Sequence, residues 1–130
     1  MTPTVVVAVD WSPVSKRAAG LGAEIARAMK ARIVLVHVRT ESESDPASAQ
    51  ELEAVVGSWA SQVRNSGPTD VTTILLDGPP VDSLLNYVET HPTDLMVFGR
   101  RGHSLGARML LGGITSSVLQ RARCPVLVVP

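Results

Sequence analysis

One cysteine, Cys124, stands in the whole chain, so no disulfide can close within it. Its setting, RCPVLVV, beside proline and a valine-rich run, reads as a buried thiol rather than a nucleophile. There is no excess of charge: 12 basic residues meet 12 acidic ones, which argues against a dedicated nucleic-acid binder, whose affinity rests on surplus positive charge facing phosphates. No apolar run is long enough to cross a membrane, and the opening MTPTVVVAVD lacks the basic region of a signal peptide, so a cytoplasmic protein is expected. No spacing of His37, His91 and His103 with Cys124 resembles a metal site. Lysine is missing after Lys30 and carboxylate after Asp94.

That last pair of absences exposes an asymmetry. Residues 95–130 carry Arg100, Arg101, Arg108, Arg121 and Arg123 and no acid, leaving seven basic residues against all 12 acidic ones upstream. So local a skew suits one small anion better than a polymer; an ordinary basic surface is the plainer alternative. At 130 residues the chain fits one domain, 1–130, able to bury a sizeable core without staples.

The hydrophobic pattern alternates between two periods. Val5–Val9 is a continuous valine-rich run, as expected of a strand covered on both faces. After Asp10 and Trp11 comes a helix start, with Ser12 as N-cap and Pro13 in the first turn, and Ala18, Leu21, Ile25 and Met29 at helical spacing. A second buried strand spans Arg32–Val38; within it His37 reads as a satisfied core histidine. TESESDPASAQ then has the polar composition of an exposed, mobile connection. Leu52, Val55, Val56, Trp59, Ala60 and Val63 mark a second helix, Val71–Leu76 a third strand, and Val81, Leu84, Leu85 and Val88 a third helix, at whose end His91 is either a C-terminal cap or solvent-exposed. Leu95–Phe98 is a fourth strand; Ile114, Val118, Leu119 and Ala122 share one face of a fourth helix, and Pro125–Val129 is a fifth strand. Strands alternating with helices imply an α/β fold with a parallel sheet and helices on both faces, whose ligands sit beyond the carboxyl ends of the strands where the strand order reverses. Asp10, Val38 and Gly99 stand at those ends.

The segment LMVFGRRGHSLGARMLLGGIT, residues 95–115, joins the fourth strand to the fourth helix. A phosphate held without a metal cage needs converging backbone N–H groups, best supplied by glycines and the positive end of a helix. Gly99 and Gly102 follow the strand, Gly112 and Gly113 precede the helix, and Thr115 and Ser116 in its first turn carry hydroxyls able to donate to phosphate oxygens. Arg100, Arg101, Arg108 and His103 add positive charge or the capacity for it. Each glycine alone is equally explained by a tight turn. The segment is not a P-loop, which needs GxxxxGK followed by Ser or Thr, and the first strand leads into DWSPVS rather than a dinucleotide GxGxxG. A phosphoacceptor receiver of similar size would need paired acids after the first strand and a lysine near the last, and VAVDWS and the lysine-free second half lack them.

Gly99, two residues, Gly102, nine residues, Gly112 resembles the G-2x-G-9x-G-(S/T) nucleotide signature of the universal stress protein family. VVVAVDWSPVSKRA, IVLVHV, TDLMVFG and CPVLVVP are similar, in the right order, to that family's first, second, fourth and closing strands. The resemblance implies a five-stranded parallel sheet ordered 3-2-1-4-5, of the adenine nucleotide alpha hydrolase-like type. It also implies a cleft for ATP, with Mg2+ as an optional companion. Asp10 and Val38 would border adenine and ribose, and Phe98 would lie beside the nucleotide. Gly99, Gly102, His103, Gly112, Gly113, Ile114 and Thr115 would surround the phosphates. One departure stands out: Gly113 occupies the place of the signature's serine or threonine. The missing hydroxyl removes one hydrogen bond, about 0.5–1.5 kcal/mol net, or roughly threefold to tenfold in affinity.

Trp11 stands where many family members have glycine; it would cover adenine by stacking or sit exposed at the rim. The implied function is an ATP-binding regulatory module of the stress response. Little turnover and no catalytic residue are expected, because phosphoryl transfer draws on carboxylates that the segment after Asp94 lacks. A nucleotide-independent interaction protein and a slow ATPase or autokinase are the alternatives. The resemblance further implies a homodimer through the closing strand, and a protein partner that no residue identifies.

Overall fold

Three β-branched residues in a row, Val5, Val6 and Val7, leave at most 1% of their surface exposed, and a chain whose alternate side chains are all buried has to run through the middle of a covered sheet. In the computed structural model, which describes residues 2–68, 70–100 and 113–130, that run is β1 (Thr4–Ala8). It pairs in parallel with β2 (Arg32–Val38) on one side and β4 (Leu95–Gly99) on the other. β3 (Val71–Leu76) and β5 (Val126–Val129) form the edges, giving the order β3-β2-β1-β4-β5, all parallel. Strand bounds agree with the sequence pattern within one residue.

Alternation along the strands divides the core in two. Val5, Val7, Ile33, Leu35 and Val97 face α1 (Pro13–Met29) and α2 (Ala49–Asn65). Val6, Val34, Val36, Met96 and Phe98 face α3 (Pro80–Thr90) and α4 (Gly113–Arg121).

Ser12 caps α1 as expected, its hydroxyl accepting from the Ser15 amide, with Pro13 at the helix start. The buried face is only partly the expected one: Ala18 is buried and Ile25 packs part-buried against the core, but the face is otherwise made of small residues. Ser15, Ala18, Ala19, Gly22, Ala23 and Ala26 face the sheet, while Leu21 and Met29 are 36% and 40% exposed. The reason is distance: a Cβ on Gly22 would lie 2.7 Å from Val7 Cγ2, so the helix approaches the sheet too closely for long side chains. On α4 likewise only Thr115 and Val118 are buried, and Ile114 and Leu119 of the expected face are exposed. The connection expected to be mobile forms two 3-10 turns, Ser42–Ser44 and Pro46–Ser48, and its Glu43 turns back onto the sheet.

Candidate functional site

The crossover α1 leaves β1 toward β2, whereas β4 is laid down on β1's other side, so the strand order reverses between β1 and β4. Beyond the carboxyl ends of these strands lies a cleft of about 620 Å³. That volume is in the range of small-molecule and cofactor sites. Its floor is apolar, with Val36, Leu84 and Phe98.

The wall on the β2 side is built from side chains. Asp10 folds the chain after β1: its Oδ1 accepts from the Ser12 amide at 3.0 Å and its own amide donates to Ser15 Oγ at 3.3 Å. The next residue, Trp11, takes φ of 67°, a left-handed conformation that costs a non-glycine residue about 1–2 kcal/mol and needs support from its surroundings. The support is visible. The indole ring meets Trp59 edge-on, with centroids 5.1 Å apart, and lies 4.5 Å from the His37 ring. Its Nε1–H is 3.2 Å from both Glu43 Oε2 and His37 Nε2. These contacts hold the half-buried Trp11 ring in place, and it lines the cleft.

His37 is buried, as expected, with Nδ1 2.7 Å from the Val9 carbonyl and Nε2 2.8 Å from Glu43 Oε1. Glu43 is in turn fixed by a reciprocal pair: its Oε1 accepts from the Thr40 amide at 2.9 Å and its amide donates to Thr40 Oγ1 at 3.3 Å. Burial alone would raise the Glu43 carboxyl, but the Thr40 amide and the bond and charge of His37 outweigh it and hold it below its ordinary value. Glu43 was not singled out from the sequence, though Thr40-x-x-Glu43 is the capping-box spacing that would have found it.

The facing wall, at the β4 side, is built from small residues and backbone. Gly99 is in place because α1 presses on it: a Cβ there would meet Val14 Cγ1 at 2.5 Å and the Val14 carbonyl carbon at 3.3 Å. Gly113 opens α4, and among the described residues no atom lies within 4 Å of where a Cβ would stand. The first N–H groups of a helix have no partners inside it, so Gly113, Ile114 and Thr115 present amides at this end. The Thr115 hydroxyl does not match its expected role: buried, it donates to the Gly99 carbonyl at 2.9 Å and so ties α4 to β4 rather than offering its hydrogen to a ligand.

Asp10, Val38, Phe98, Gly99, Gly113, Ile114 and Thr115 all border this one cleft. Gly102, His103 and Gly112 lie outside the described residues. His91 does not line the cleft; it caps α3, its Nδ1 3.0 Å from the Tyr87 carbonyl. Cys124 is half-buried rather than fully enclosed, and burial pushes its thiol above the ordinary value. Among the described residues no helix is long and apolar enough to cross a membrane.

Comparison with known proteins places this architecture in context. A model of the universal stress protein family matches residues 1–130. The universal stress protein Rv1636 of Mycobacterium tuberculosis is 30% identical over 139 residues, spanning 97% of this chain and 94% of that protein. A universal stress protein solved in complex with cAMP superposes with a TM-score of 0.80 at 28% identity, over 98% of this chain and 95% of that one. UspA from Lactobacillus plantarum superposes with a TM-score of 0.86 at 25% identity, over 98% of this chain and 97% of that one.

Proposed function

Because the chain belongs to the universal stress protein family, we propose that the cleft binds an adenine nucleotide, ATP in the first instance, and that the protein works as a nucleotide-responsive regulatory module rather than as an enzyme. The observation that carries this reading is the convergence of seven positions from four separate segments on one cleft at the β1/β4 reversal, with the N-terminus of α4 at its β4 side. The family relative solved with cAMP supports adenine as the base.

The two walls suit the two ends of such a ligand. The apolar floor and the wall formed by Asp10 and Val38 receive the nucleoside. The first-turn amides of α4, which have no partner inside the helix, and the positive end of its dipole receive the phosphates. Among the described residues no cluster of three or more potential metal ligands occurs, so Mg2+ would ride on the phosphates. Turnover is not part of the proposal, since no carboxylate follows Asp94 in the sequence to position a water at the phosphate end. β5 is an edge strand with Val126, Leu127 and Val128 only half-buried, which supports a homodimer formed along it, to be read as a dimer mass in light scattering.

The test is calorimetry on nucleotide-stripped protein with millimolar ATP, with GTP as the control for the base. Heat and a raised melting temperature with ATP are expected. Their absence would sink the reading.

A further inference from the structure

We propose that the connection between β2 and α2 is latched onto the cleft by one proton shared between His37 and Glu43, and that loss of this proton frees the wall. The argument is one of donors and acceptors. His37 Nδ1 lies 2.7 Å from the Val9 carbonyl, which only accepts, so Nδ1 carries a hydrogen. His37 Nε2 lies 2.8 Å from Glu43 Oε1. A neutral ring with hydrogen on Nδ1 would set the Nε2 lone pair against a carboxylate oxygen, two acceptors face to face. The contact requires a hydrogen between them, as imidazolium with carboxylate or as neutral ring with carboxylic acid. With that hydrogen in place, the Trp11 N–H serves Glu43 Oε2 at 3.2 Å and every polar atom of the group is satisfied. Without it, Nε2 accepts from the Trp11 N–H at 3.2 Å and repels Glu43.

What Glu43 holds is the chain itself. Its bonds to Thr40 and His37 fold residues 40–44 against the strand ends, and Thr40, Ser42 and Glu43 form part of the cleft wall. Among the described residues the other charge that reaches the pair is that of Arg39, which acts on Glu43 through space but is itself paired with Asp77. From β1, the Asp10 carboxylate is engaged with the Ser12 amide; from the end of β2, Arg39 pairs with Asp77 beyond β3; α1 brings uncharged Ser15 and α2 the edge of Trp59.

As regulation of the nucleotide site the latch rests on the function proposed above, but its existence is decided without nucleotide. In ligand-free Trp59→Phe protein Trp11 is the sole tryptophan, and its emission is followed from about pH 5 to about pH 8, the span over which imidazoles change charge. A single-proton transition is expected that disappears in His37→Gln and moves to lower pH in Glu43→Gln. No transition, or one that survives in His37→Gln, would overturn the latch. Unmodified protein gives a second reading: amide hydrogen exchange across residues 40–44 should accelerate, beyond the intrinsic effect of pH, as the His37 ring resonance titrates. Protection that ignores this titration would also overturn it. An ATP affinity that falls across the transition ties the latch to the site, whereas absence of ATP binding on both sides would count against the nucleotide reading and leave the fluorescence result to decide the latch.

Discussion

The two walls of the cleft solve one structural problem by opposite means. On the β2 side, long polar and aromatic side chains from distant positions, Trp11, His37, Glu43 and Trp59, interlock through hydrogen bonds and ring contacts. On the β4 side almost nothing protrudes: Gly99 admits Val14, Gly113 is bare, and Thr115 turns its hydroxyl inward to Gly99. A wall of side chains can be tuned by protonation and by substitution. A wall of backbone offers fixed amides and is sensitive mainly to added bulk.

This contrast makes substitutions on the two sides behave differently. The largest effect is expected for Gly99→Val, because its Cβ would sit 2.5 Å from Val14 Cγ1 and within 3.3 Å of the Val14 carbonyl carbon. Forced overpacking of this kind costs about 1–3 kcal/mol, visible as a lowered melting temperature and a lower denaturant midpoint. A melting curve unchanged from the parent would show that bulk is tolerated there and erase the distinction.

On the opposite wall, Glu43→Leu should cost about 1–2 kcal/mol by removing the bonds its carboxylate makes to His37 and the Thr40 amide, the Trp11 N–H then donating to His37 Nε2. Glu43→Gln should cost less, since an amide oxygen still accepts from Thr40. Equal melting temperatures for the two variants would mean that Glu43 contributes only its volume.

Gly113→Ser is the converse case, a gain on the backbone wall. Among the described residues nothing lies within 4 Å of the missing Cβ, so none of them obstructs the hydroxyl. ATP affinity should rise about threefold to tenfold in calorimetry, the value of one added hydrogen bond of about 0.5–1.5 kcal/mol. An unchanged affinity would favour the reading in which the fold has outlived its nucleotide.

The smallest effect concerns acid. Glu43 is held below its ordinary value of 4.5 in the folded chain, so its contribution to stability is complete above that pH and disappears as pH falls through the folded value. Unfolding titrations at mildly and strongly acidic pH should therefore show a smaller loss on acidification in Glu43→Gln than in the parent. Identical losses would remove Glu43 from the account.

Much of the scaffold was legible because strand burial leaves a plain signature: Val5–Val7, Ile33–Val36 and Leu95–Phe98 can be continuous apolar runs only if both faces are covered. Asp10, Val38 and Gly99 followed from where such runs stop and Gly113 and Thr115 from the glycine-rich segment, whereas Phe98 and Ile114 came only from the family resemblance. Helix faces were less legible. Hydrophobic size pointed to Leu21 and Met29 on α1, but the closeness of Gly22 to Val7 put alanines there instead. Thr115 read as a ligand donor, since a sequence shows a hydroxyl and not the carbonyl 16 residues earlier that takes its hydrogen.

The succession of strands and helices along the chain and the lack of carboxylates beyond Asp94 were determined by the sequence alone, since each follows from local periodicity or composition, whereas the place of the strand-order reversal was implied by the family resemblance and is set by the sheet's pairing. The joining of Trp11, His37 and Glu43 into one proton-dependent wall was decided by tertiary structure alone. Its members lie up to 32 residues apart, and whether a nitrogen donates or accepts depends on the atom that folding sets in front of it.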